Sequence, residues 1–99
     1  MELKDLRDRL DQIDDRLTAL FCQRMETVRM VADYKRANKT PILAAGREQE
    51  ILDRVTALAG DELQQYTKIL FTTLMELSRD YQAALLAADT APRIDSEVD

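Results

Sequence analysis

From Met1 to Thr40 the chain contains neither glycine nor proline, and its apolar residues recur as Leu3, Leu6, Leu10, Ile13, Leu17 and Leu20, then Val28 and Val31. Spacings of mostly three and four place these side chains on one face of an α-helix. Asn38 and Pro41 supply the first stop signal. The pattern predicts one helix over about residues 2–38, roughly 55 Å long at 1.5 Å per residue. A compact domain of this size has a radius of gyration of only about 13 Å, so the chain cannot cover the stripe along its whole length. A sharp bend would solve the problem, but nothing in the sequence causes one. A second copy of the chain solves it, and the reading is an intertwined homodimer.

The segment TPILAAGREQEIL, residues 40–52, holds one of the two prolines and one of the two glycines and interrupts the helical pattern. A second helix is expected to start near Ala44–Arg47 and to turn Ile51, Leu52, Val55 and Leu58 inward. Gly60 suits its C-terminal cap, and Asp61 is a candidate N-cap for a third helix. That helix carries Leu63, Tyr66, Leu70, Leu74 (or Thr73), Leu77, Tyr81 and Leu85 and is expected to fade near Ala87. The end of the chain, DTAPRIDSEVD, is acidic and polar with Pro92 inside it, and reads as disordered. The expected architecture is all-α: a long first helix, a short second and a medium third in one domain over 1–87, followed by an acidic tail over 88–99. The scarcity of glycine and proline beside abundant Leu, Ala and charged residues agrees with this class.

Charge and cysteine content narrow the function classes. The 99 residues include 14 Lys and Arg against 19 Asp and Glu, a net charge of −5. A broad basic field of the kind that attracts nucleic acid is absent, so any anion must be held by a local group of cations. There is no His, and the one Cys22 can form neither an intrachain disulfide nor a zinc-ligand set. Cys22 lies in a Leu- and Phe-rich run and reads as a small core residue. No apolar run approaches membrane length, and the charged start MELKDLRDRLDQ is unlike a signal h-region. The expectation is a soluble cytoplasmic protein that needs no cofactor or metal and has no nucleic-acid or membrane partner.

The informative residues are polar ones that interrupt the stripes. Arg24 falls four positions after Leu20, and Lys35 four after Val31. They are eleven residues apart, about three turns, and so share a face. Buried cations need anionic partners. Arg24 and Lys35 therefore either snorkel or pair with acids on another helix, or they line an anion site within a bundle. Arg7 flanks the same stripe seventeen residues earlier, roughly 25 Å along the axis. It could share a small ligand with Arg24 only from the antiparallel helix of a second subunit; alone it reads as a surface arginine. Ser78 and Gln82 share a face of the third helix. A glutamine amide can donate to a neutral or developing negative oxygen, although a pair of solvated boundary residues fits the same spacing. No Ser-His-Asp set, Cys-His pair or Gly-rich phosphate loop is present. A reaction promoted by binding and electrostatics suits this inventory better than covalent catalysis.

Four segments carry a family resemblance: LRDRLDQIDDRLTALFCQR with Arg24, VADYKR with Lys35, REQEIL with Arg47 and Glu48, and LSRDYQ with Ser78 and Gln82. In this order and spacing, over roughly residues 3–86, they resemble the all-helical chorismate mutases. The resemblance implies an intertwined dimer of three-helix chains with two active sites, each taking an arginine from the partner. It implies the Claisen rearrangement of chorismate to prephenate, on the route to Phe and Tyr, a pericyclic reaction without covalent intermediate or metal. By the same resemblance Arg24, and Arg7 from the other subunit, clamp the two substrate carboxylates, for which a guanidinium fork is well shaped. Lys35 is the charged donor to the ether oxygen and a neighbouring carboxylate, Gln82 the second donor to that oxygen, and Glu48 the acceptor for the ring hydroxyl. Arg47 and Ser78 take supporting pocket positions. One position departs from the family pattern: Ala44 stands three residues before Arg47, where an aspartate is common, which bears on the hold on the ring hydroxyl more than on the chemistry. Two other readings compete. One is an isochorismate pyruvate-lyase of the same fold; the other is a non-catalytic helical dimerisation or regulatory module in which Arg24 and Lys35 pair with acids such as Glu48.

Overall fold

The computed structural model describes residues 1–90, which form three helices: α1 (Leu3–Ala37), α2 (Ala45–Ala59) and α3 (Gln64–Thr90). Their order and relative lengths are those expected for the all-α class. At the start of α1 the Glu2 amide donates to Asp5 Oδ2 at 3.1 Å, satisfying a group that has no partner within the helix. The helix ends in a Schellman turn, with Lys39 N–H donating to the Arg36 carbonyl at 3.3 Å and Thr40 N–H to the Lys35 carbonyl at 2.8 Å. Lys39 takes the left-handed position at φ 53°, usually a glycine site. Gly60 closes α2 with φ 83°.

α3 packs against both α1 and α2. Ile51 and Val55 of α2 and Met75 of α3 are buried together, with Leu52 and Phe71 packed against them; Ala32 is the buried residue of α1. The molecule extends 59 × 38 × 16 Å with a radius of gyration of 18.1 Å, well above the ~13 Å of a compact domain of this length. The α1 stripe from Leu3 to Leu20 is exposed in the single chain; Leu20, for example, is 61% exposed. Leu17, Leu20 and Phe21 of α1 and Leu70, Phe71 and Leu74 of α3 line an open apolar groove of about 350 Å³.

Several expectations are corrected. The α3 stripe is mainly open: Leu63, Tyr66, Leu70 and Leu77 are exposed, and Leu74, Tyr81 and Leu85 are half-buried. The face packed inward carries Phe71, Met75, Ser78 and Gln82 instead, because α3 has two usable faces and one chain covers the less apolar one. Leu58 is exposed, since the last turn of α2 has passed the core cluster. Cys22 is exposed, lying off the face of α1 that carries the half-buried Phe21, Met25 and Val28. Asp61 does not cap α3. Residues 61–63 form a turn, and the first helical bond reaches the Leu63 carbonyl from Thr67 N–H at 2.9 Å. α3 runs three residues past Ala87 to Thr90, and the rest of the expected acidic tail lies outside the described residues.

Candidate functional site

A cavity of about 140 Å³ opens between the second half of α1, the loop after it, the first turns of α2 and the C-terminal half of α3. Val28, Val31, Ile42, Ile51 and Met75 form its apolar wall. Arg24, Lys35, Arg47, Glu48, Ser78 and Gln82, which the sequence marks as site candidates, all reach this one cavity. Arg24 and Lys35 do so from one helix face three turns apart. Arg7 does not reach it from the same chain; it is exposed on α1, roughly 25 Å from Arg24 along the helix axis.

The polar groups are held individually. Arg24 Nη1 donates to Ser78 Oγ at 2.5 Å, and the Ser78 hydroxyl donates onward to the Leu74 carbonyl at 2.8 Å. Ser78 is 7% exposed and, with both roles in use, fixes the guanidinium laterally. Lys35 Nζ donates to the Ile42 carbonyl at 2.6 Å, tying the loop to α1 and leaving two ammonium protons for other acceptors. Arg47 stands at the rim, loosely paired with Glu50 at 3.5 Å with both side chains exposed, a contact of little energy. Gln82 is 5% exposed, and its Oε1 is buried with no hydrogen-bond partner. An unmet buried polar atom costs about 1–3 kcal/mol. A ligand donor removes that cost with the amide as placed; a ligand acceptor removes it only with the amide turned end for end, which brings the N–H to this position.

The one acid of the cavity wall does not neutralise these cations. Both Glu48 oxygens lie 2.5 Å from Arg79 Nη1, a pair that holds the Arg79 guanidinium above its ordinary pKa through that hydrogen bond. Neither Arg24 nor Lys35 has an ion-pair partner among the described residues. Burial, and after it the nearby charge of Arg47, hold the Arg24 guanidinium below its ordinary value. The cavity thus gathers four cations against one carboxylate in a chain whose net charge is −5. The pairing of Arg24 and Lys35 with Glu48 that a purely structural role would give does not occur. The arrangement suits an anion with hydrogen-bond acceptors near Lys35 and Gln82. Among the described residues no three His, Cys, Asp or Glu side chains form a metal-ligand group, and no helix is long and apolar enough to cross a membrane.

The family chorismate mutase type II matches residues 6–83, a span that contains every residue of the cavity. The chain belongs to this family. Comparison with curated proteins and with solved structures finds no match. Ala44 and Arg79 also line the cavity. Ala44 is half-buried in the cavity wall and is also the N-cap of α2, with no side-chain cap bond. Arg79 was overlooked in the sequence, although LSRDYQ contains it. Its position three residues before Gln82 places it near that residue's face, but the partner that gives it meaning is thirty-one residues away on α2.

Proposed function

We propose that the protein is a chorismate mutase that rearranges chorismate to prephenate in Phe and Tyr biosynthesis, acting in the cytoplasm as an intertwined homodimer. The observation that carries this reading is the gathering of unneutralised Arg24 and Lys35 with the buried side chain of Gln82, whose Oε1 has no partner, inside the span matched by the family. In the rearrangement the ether C–O bond breaks as a C–C bond forms. No proton, electron or group passes to the enzyme. The protein's work is to select a folded conformer and to stabilise charge gathering on the ether oxygen.

In this account Arg24 binds one substrate carboxylate, with Ser78 holding the guanidinium in place. Arg7 of the second subunit binds the other. Lys35 donates a charged hydrogen bond to the ether oxygen and a neighbouring carboxylate, and Gln82 donates the second through its amide N–H. Glu48 accepts from the ring hydroxyl, and Arg47 adds positive potential at the rim. A donor aimed at developing charge contributes about 2.7–4 kcal/mol, so Lys35 and Gln82 supply a large share of the barrier reduction.

The homodimer is supported by the exposed stripe. Leu3, Leu6, Leu10, Ile13, Leu17 and Leu20 are each about half exposed in one chain, and covering them gains on the order of 1 kcal/mol apiece. The groove between α1 and α3 continues that surface and ends at Arg24, so a second chain seated there reaches the cavity. Sedimentation at micromolar concentration should give a dimer; a monomer would remove the source of Arg7.

Ala44 favours a second substrate for comparison, because it removes an acid from the hydroxyl end of the pocket. Chorismate and isochorismate should be offered to the purified protein separately. Prephenate from chorismate should exceed pyruvate from isochorismate; the reverse order would assign the protein as an isochorismate pyruvate-lyase.

A further inference from the structure

Glu48 is the single acid on the cavity wall, and it stands among Arg24, Lys35, Arg47 and Arg79. A carboxylate in that company must settle on one of them. Settling on Arg24 or Lys35 would neutralise the charges that an anionic substrate needs. In the structure Glu48 instead gives both oxygens to Arg79 Nη1. Its side chain is 25% exposed and that of Arg79 31%, so the pair is partly shielded from water, where opposite charges attract more strongly than at the surface. Arg79 reaches Glu48 from the middle of α3, while Glu48 stands in the first turn of α2; the pair thus spans two helices that already pack together.

We propose that Arg79 is a positioning residue of the site: it draws the Glu48 carboxylate away from Arg24 and Lys35 and fixes it where the remaining lone pairs can accept from a substrate hydroxyl. Arg79 acts through Glu48 and need not touch substrate. With Ala44 in the wall, Glu48 is the one carboxylate of the lining that can accept from the hydroxyl, so its placement carries the whole of that contact. The ring hydroxyl neither forms nor breaks a bond in the rearrangement and gathers no charge, so its interaction contributes nearly equally to substrate and transition state and is read in KM. Loss of Arg79 frees Glu48 to swing onto the anion-binding cations, which raises KM a second way.

This inference rests on the mutase reading, and the test separates the two. Wild type, Arg79→Met, Arg79→Lys, Glu48→Gln and the Arg79→Met/Glu48→Gln double variant are assayed with chorismate, with folding checked by denaturation. Arg79→Met should raise KM about tenfold or more with kcat within about threefold. Arg79→Lys should recover much of the loss, because an ammonium still draws the carboxylate. The double variant should have a KM no higher than that of Arg79→Met, since the neutral amide that replaces the carboxylate cannot compete for the cations. A merely stabilising ion pair would show coupling in denaturation midpoints but none in KM. If wild type turns over chorismate but Arg79→Met keeps its KM, or the two single effects multiply in the double variant, the positioning role is overturned. If wild type makes no prephenate, the mutase reading and this role fail together.

Discussion

Replacing Arg24 by Met keeps side-chain length and apolar bulk while removing the charge, and its two consequences should have opposite character. In the free protein Arg24 is half-buried, lacks an acidic partner among the described residues, and lies near Arg47. The substitution removes one hydrogen bond to Ser78, but the Ser78 hydroxyl keeps its bond to the Leu74 carbonyl. Losing a bond from a charged donor costs about 1.5–3 kcal/mol, and relief of the desolvated, repelled cation offsets most of it. Folding stability should therefore stay within about 1 kcal/mol of wild type. Activity should not. A carboxylate clamp supplies two charge-assisted hydrogen bonds at about 1.5–3 kcal/mol each, or about 3–6 kcal/mol together. At about 1.36 kcal/mol per decade, kcat/KM should fall by roughly 10²–10⁴. Initial rates of chorismate loss over a range of concentrations, with urea denaturation on the same samples, give both numbers. A variant that keeps kcat/KM within threefold would refute the clamp. A variant that loses several kcal/mol of stability would show that Arg24 serves the fold and that its unpaired state has been misread.

Other perturbations address the remaining parts of the site. Gln82→Glu exchanges a donor for a group that donates only when protonated, so kcat/KM should rise as pH falls through the new carboxyl's titration; a pH profile identical to wild type would exclude Gln82 as a donor to the ether oxygen. Ala44→Asp should lower KM for chorismate by restoring a second acid at the hydroxyl end. It should also stabilise the fold by about 1 kcal/mol by capping α2, and an unchanged KM with raised stability would mean that the new side chain only caps the helix. Arg7→Ala and Arg24→Ala homodimers should each be nearly inactive, yet subunit exchange between equal amounts of them should restore about a quarter of wild-type activity, because about half the dimers are then mixed and each mixed dimer has one intact site of two. No recovery after verified exchange would place both arginines in a site within one subunit, or neither in any site.

The helices were legible in the sequence because each boundary has a local cause. The uninterrupted run to Thr40 and the Asn38–Pro41 stop bracket α1 to within a residue, and Gly60 marks the end of α2. The αL position at Lys39 was not legible, since such sites ordinarily advertise themselves with glycine or asparagine. The inward face of α3 was not legible for a more instructive reason. Periodicity ranks helix faces by apolar content, and the most apolar faces of α1 and α3 are the ones a single chain leaves open. The face that packs in one chain carries Ser78 and Gln82, because it serves a cavity. Arg24 and Lys35 were visible as interruptions of a stripe, and the structure brings them together. Arg79 was invisible because its partner lies on another helix, where no sequence period operates.

The most direct test of the account follows chorismate and prephenate together in the presence of purified wild-type protein and of Lys35→Ala. Lys35 lines the cavity, and the only hydrogen-bond partner of its Nζ among the described residues is the Ile42 carbonyl. The account predicts one prephenate formed for each chorismate consumed by wild type, and a rate lower by about 10²–10³ for Lys35→Ala, the loss typical of removing a donor to developing charge. Chorismate that disappears no faster than in buffer, or a Lys35→Ala variant as fast as wild type, would contradict it.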